Sequence, residues 1–158
     1  MATREEVTAL MQGDEFDRLI DILRMGEEAV PILLDIMKDS SAPAFMRHRA
    51  TATLGEIRSP TAAPDIRAAL NDDDPVERIM AARALVQIEG PDAAAALTPL
   101  LQDADPSVSI VAMQGLAQVG DQTALAALEN LGTDSPDAAV RSEAQAAIIK
   151  IQDRDAKA

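Results

Sequence analysis

Residues 81–90 read AARALVQIEG, and three related decamers occur elsewhere: ATATLGEIRS at 50–59, AMQGLAQVGD at 112–121 and AQAAIIKIQD at 144–153. In register, Leu54, Leu85, Leu116 and Ile148 share one column at spacings of 31, 31 and 32 residues. Ala50, Ala81, Ala112 and Ala144 share a second, and Ile57, Ile88, Val119 and Ile151 a third. A period of this length marks stacked supersecondary units, none of which buries its apolar side alone. Within each decamer the apolar columns fall on one side of a 3.6-residue helix, so each copy predicts one amphipathic helix, here called B.

A second apolar-periodic segment precedes each B helix: AVPILLDIMKD from Ala29, APDIRAALND from Ala63, AAAALTPLLQD from Ala93 and ALAALENLGTD from Ala124. These are the A helices. Pro31 and Pro64 fit a first helical turn, where no backbone donor is missed, whereas Pro99 lies inside its segment and predicts a kink. The A–B turns read DSSAP, NDDDP, DADP and TDSP, which are stop and N-cap signals. A less regular pair covers Thr3 to Gln12 and Asp14 to Met25, with Gly13 placed as the C′ residue between them. No segment alternates with period two. The expectation is an all-α solenoid of about ten helices in antiparallel pairs, as a single domain over 1–158. It has a divergent N-terminal pair at 1–26, four repeats over 27–152 and a tail at 153–158.

The recurring order of acid, spacer, acid and Pro, then Val-Arg or its equivalent, Ala, Ala-Leu and Ile, resembles HEAT-like repeats. The likeness is to the short bacterial kind named after phycobilisome lyases, and it covers residues 29 to 152. It implies a scaffold or binding surface and implies no catalytic residues. The lyase-type relatives imply the alternative, an accessory protein handling a chromophore or cofactor.

The chain has 158 residues, no Cys, Trp or Tyr, and Phe only at Phe16 and Phe45. Ala and Leu dominate its apolar content, and small side chains let helices approach closely. Without cysteine there is no thiol chemistry. The N-terminus carries acids where a signal peptide needs a basic end, and no apolar run approaches the ~20 residues of a membrane span, so a cytoplasmic location is expected. Formal charge is −13, and from Ala84 to Val140 there is no Lys or Arg. That acidic stretch should repel nucleic acid and anionic membrane and favour a protein partner with a basic surface.

Several clusters invite chemistry. Arg47, Arg78 and Arg141 share a column that the third repeat breaks with Ser109. A charge repeated at a structural position predicts a structural task, each guanidinium reaching back to the carboxylates or carbonyls of its A–B turn. The rival reading is an anion-binding island of Arg47, His48, Arg49, Arg58, Arg78 and Arg83. The run Asp72, Asp73, Asp74 lacks the bidentate Glu and fixed Gly of a calcium loop, and capping before Pro75 explains it. With His48 the sole histidine, triads and multi-histidine metal sites have little to build on, and Glu56 and Glu77 sit on different repeats. Phosphate-binding glycine motifs are absent. No catalytic residue, cofactor or metal is expected.

Numbering each B helix from Met46, Glu77, Val108 and Val140 as zero, offsets 0, 4, 7, 8 and 11 are expected to face the A helices. Offsets 2, 6 and 9 then point the other way and line the inner face. They include His48, Ile79, Arg83, Val86, Ile110, Gln114 and Ile149, a shallow apolar strip with polar flanks that reads as a protein-binding surface. Self-association is one form that contact can take.

Overall fold

In a computed structural model of the chain, residues 2–12, 16–120 and 122–157 are described. The expected C′ residue, Gly13, lies outside them. The α-helices are α1 (Arg4–Met11), α2 (Phe16–Met25), α3 (Val30–Lys38), α4 (Ala44–Ile57), α5 (Ala63–Ala69), α6 (Pro75–Glu89), α7 (Ala94–Leu97), α8 (Pro106–Val119), α9 (Gln122–Asp134) and α10 (Ala138–Asp155). No strand occurs among the described residues. Helices α3, α5, α7 and α9 are the expected A helices, and α4, α6, α8 and α10 the expected B helices. The chain divides into two compact units, Met1–Ile88 and Glu89–Ala158.

In the first unit, Thr3 caps α1 in a reciprocal capping box with Glu6, which satisfies two backbone donors that the first helical turn leaves unpaired. Val7 and Met11 of α1 and Ile22 of α2 are buried, and Arg49 of α4 donates to the Met11 carbonyl at 2.9 Å, closing the C-terminal end of α1. Pro31 and Pro64 occupy the first turns of α3 and α5, as their spacing predicts. Helix α4 ends on Arg58 with φ 58°, while Gly26 after α2 and Gly90 after α6 adopt similar positive φ. Gly55 marks a close approach: a Cβ there would stand 2.7 Å from the Ala84 Cα, so α4 and α6 meet backbone to backbone.

In the second unit, α7 has only 4 residues, and the chain continues from Thr98 to Gln102 as a 3-10 helix. Pro99 therefore ends the α winding rather than bending it, because its ring lacks the N–H and crowds the preceding turn. Asp105 caps α8 through the Ser107 N–H, and Asp137 caps α10 through the N–H groups of Ala139 and Val140. Arg154 donates to the Gln118 carbonyl at 2.8 Å and also to the Gly120 carbonyl, tying the end of α10 to the end of α8. Helix α10 runs to Asp155, so the first residues of the expected tail are helical.

The core follows the predicted offsets with two departures. Ala50, Ala81, Ala112 and Ala144 are fully buried, as are Leu54, Leu85 and Leu116. Ile148, aligned with those leucines, is only half-buried. On α10 the inward line is Val140, Ala144, Ala147 and Ile151, a spacing of four, three and four that leaves Ile148 beside the stripe. The +11 column is half-buried at Ile57, Ile88 and Val119 but fully buried at Ile151. Ile151 is buried because α10 packs closely on both α8 and α9.

Candidate functional site

The arginine column resolves into a structural device. The Nη1 of Arg47 donates to the Ala42 carbonyl at 2.8 Å. Arg78 donates to the Asp72 carbonyl at 2.8 Å and the Asp73 carbonyl at 3.3 Å. Arg141 does the same to Ser135 at 2.7 Å and Pro136 at 3.1 Å. Three of the four B helices thus clamp their own A–B turn through main-chain oxygens. In the third repeat the Ser109 Oγ stands 3.4 Å from the Asp103 carbonyl, a far weaker hold. Arg78→Ala is expected to cost about 1 kcal/mol. Thermal melting should show it as a drop of about 2–4 °C.

Four of the six residues of the basic island are engaged within the fold, while Arg58 and Arg83 are exposed. Arg47, Arg49 and Arg78 hold backbone carbonyls, and the His48 Nε2 lies 2.7 Å from the Asp74 Oδ2. Asp74 also accepts the Val76 N–H at 2.9 Å at the start of α6, and Asp72 accepts the Asp74 N–H at 2.8 Å. The acidic run therefore builds a helix start. Burial opposes ionisation of Asp74, but its bonds to His48 and to backbone N–H groups hold the carboxyl below the usual range.

Glu77 occupies offset zero of α6, where the sister helices have Met46, Val108 and Val140, and it is only 3% exposed. Its Oε1 accepts the Thr51 hydroxyl, while Oε2 has no hydrogen-bond partner. Desolvation pushes its pKa up; the Thr51 bond and the positive charges of His48 and Arg47 oppose this, and Asp72 adds to it. Glu56 instead accepts from the Gln87 amide at 2.9 Å, so the two glutamates have separate partners and do not form an acid–base pair.

The expected inner-face residues are distributed unevenly. On α6, Ile79 and Val86 are half-buried and Arg83 is exposed, one helical face at spacings of four and three. His48 is half-buried and turned to Asp74. On α8, Ile110 and Gln114 are half-buried, and on α10 Ile149 is 58% exposed. The offset-nine column is less open than expected. Gly55 is buried against Ala84, and Ala117 is buried, because that side of a B helix meets its neighbours. Met113 and Val111, beside the expected strip, are buried too.

Sequence reasoning missed Phe45 and Val76, 57% and 41% exposed in the first turns of α4 and α6. Both stand one position before offset zero, and that shared register was the available signal. Among the described residues no group of three or more His, Cys, Asp or Glu gathers as a metal site, and no helix is long and apolar enough to cross a membrane.

The family model for HEAT repeats matches residues 64–149, and that for PBS lyase HEAT-like repeats matches residues 46–72. A curated relative, deoxyhypusine hydroxylase of Candida albicans, is 39% identical over 56 residues, 35% of this chain and 18% of the relative. The chain thus spans under a fifth of that protein. The complex of CpcE and CpcF of phycocyanin lyase from Nostoc sp. PCC7120 contains a chain matching at a TM-score of 0.67 with 20% identity. The match covers 97% of this chain and 66% of that one. An engineered protein matches at 0.65 with 24% identity, over 95% of this chain and 73% of its own. At these identities the likeness shows the fold alone: all-α, built from the antiparallel helix pairs of the repeat solenoids.

Proposed function

Because the chain belongs to the HEAT-repeat family, we propose that it is a non-enzymatic scaffold or adaptor, a single functional domain that binds another protein through the exposed faces of its B helices. The observation that carries this reading is the face of α6 bearing Ile79, Arg83 and Val86, an apolar strip with a charge at its centre that the first unit leaves partly in solvent. Ile110 and Gln114 on α8 and Ile149 on α10 are its counterparts in the second unit. Buried apolar anchors with a polar rim are what protein interfaces use. The acidic stretch from Ala84 to Val140 favours a basic partner. No cofactor, metal or nucleic acid enters this reading, and the location proposed is cytoplasmic.

The test is a pair of single variants, Ile79→Glu and Ile110→Glu, each assayed for cooperative thermal unfolding and for partner binding or self-association. Retained folding with binding lost in either is the expected result. If both variants unfold, these positions belong to the core and the assignment of faces fails. A lyase-like accessory role is the second reading, supported by the PBS lyase HEAT-like match and the phycocyanin lyase neighbour. A bilin absorption shift on mixing with this protein would select it.

A further inference from the structure

Two grooves lie at corresponding places, one within each unit. The first, about 360 Å³, runs from the end of α3 to the turn before α6 and includes Lys38 and Arg47 in its lining together with Asp65 and Asp72. There the Lys38 Nζ pairs with Asp65 at 2.6 Å, and Arg47 clamps its turn. The second groove, about 490 Å³, runs from the turn before α8 to the turn before α10. Its lining includes Gln102 and Ser109 where the first has Lys38 and Arg47, so both cations are gone. The carboxylates remain: Asp103, Asp134 and Asp137 all contribute to its walls.

We propose that this second groove receives an arginine side chain from a protein partner, which supplies the guanidinium that the third repeat lacks. The proposal rests on the protein-binding reading above and adds the chemistry of one contact. Three repeats show what the position accepts, since Arg47, Arg78 and Arg141 each place a guanidinium nitrogen on turn carbonyls. In the third repeat Ser109 is itself buried, lines the groove, and reaches its carbonyl only at 3.4 Å. A planar fork satisfies carbonyl and carboxylate acceptors together, which the single point of an ammonium does less well. Leu101 and Leu131 in the lining give apolar surface for the methylene stem.

Among the described residues, no Lys or Arg lines this groove. From Ala84 to Val140 it has no Lys or Arg, Arg141 is committed to the Ser135 and Pro136 carbonyls, and Arg154 to those of Gln118 and Gly120. Charge complementarity therefore points to an external guanidinium.

The experiment titrates the ¹⁵N-labelled full chain with the blocked tripeptide acetyl-Gly-Arg-Gly-amide and with its lysine and citrulline counterparts. The arginine peptide should shift the amides of Ser109, Asn130 and Asp134 saturably and bind at least about tenfold tighter than the uncharged citrulline peptide. Ser109→Arg restores an internal guanidinium and should abolish those shifts while raising the melting temperature by about 2–4 °C. Asp134→Asn should weaken binding with melting unchanged, which keeps a readout if Ser109→Arg fails to fold. Equal response to arginine and citrulline, or full binding by Asp134→Asn, overturns the proposal, and equal response to lysine overturns the guanidinium assignment. Because the readout is a peptide on this groove alone, such a failure leaves the α6 and α8 faces to their own test.

Discussion

Leu85→Ala is expected to lower the unfolding free energy by about 2–5 kcal/mol, the range for removing three carbons from a packed leucine site. The side chain is fully buried, one helical turn beyond Ala81, and Ala82 and Ala84 around it are buried as well. Alanine neighbours cannot lean in to fill the vacated space, because they have no rotamers to change. The cost should therefore lie toward the upper part of that range. Urea unfolding followed by far-ultraviolet circular dichroism checks it. Ile151→Ala serves as the companion measurement. Being fully buried despite its terminal position, Ile151 should incur a loss of similar size rather than a milder one.

Glu77→Met should work in the opposite direction and stabilise the protein at neutral pH by about 1–3 kcal/mol, the usual penalty of a buried polar atom left unsatisfied. Methionine already stands at the same offset on α4 as Met46, and Thr51 would keep its 3.1 Å bond to the Arg47 carbonyl. The gain should depend on pH with a definite sign. Burial raises the Glu77 pKa in the folded state, so the folded protein holds that proton more tightly than the unfolded chain does. Wild-type stability from this group is fully present below the ordinary glutamate value and is lost as pH rises through the raised folded value. The advantage of Glu77→Met should thus be smallest near pH 4 and largest above the raised pKa. Melting both proteins across that range cancels the carboxylates they share. An advantage that is flat with pH would mean that Glu77 does not change its ionisation on folding.

The repeat pairs, their turns and the arginine clamps were legible in the sequence because each depends on a local pattern. Four copies of one decamer fix a helical face, prolines fix first turns, and an arginine recurring beside short acidic turns needs acceptors there. Contacts set by how closely two helices approach were not legible. Gly55 read as an inner-face position, but the meeting of α4 and α6 puts it against Ala84. Glu77 stands at a core-facing offset by register, but its partner Thr51 follows only from how closely α4 and α6 meet. Ile148 aligned with three leucines by register, yet α10 turns its stripe toward Ala147 and Ile151. The weakness at Ser109 was visible as a broken column, but the groove beside it depends on the following turn, which a single column does not describe.

The arginine clamps grip main-chain oxygens, and a carbonyl is present whatever side chain its residue carries. Three clamped turns consequently differ in sequence, DSSAP, NDDDP and TDSP, while one residue on the following helix holds each of them. Part of the specification of the turn has moved out of the turn. Asp39, Asp72 and Asp74 still tie backbone N–H groups there, but the remaining turn side chains are freer to mutate under selection for surface chemistry. Such an edge is where a lineage can acquire new recognition without refolding its framework, and where a designer can graft a loop library. The third repeat, held by a serine, is the one position where that freedom should be smallest.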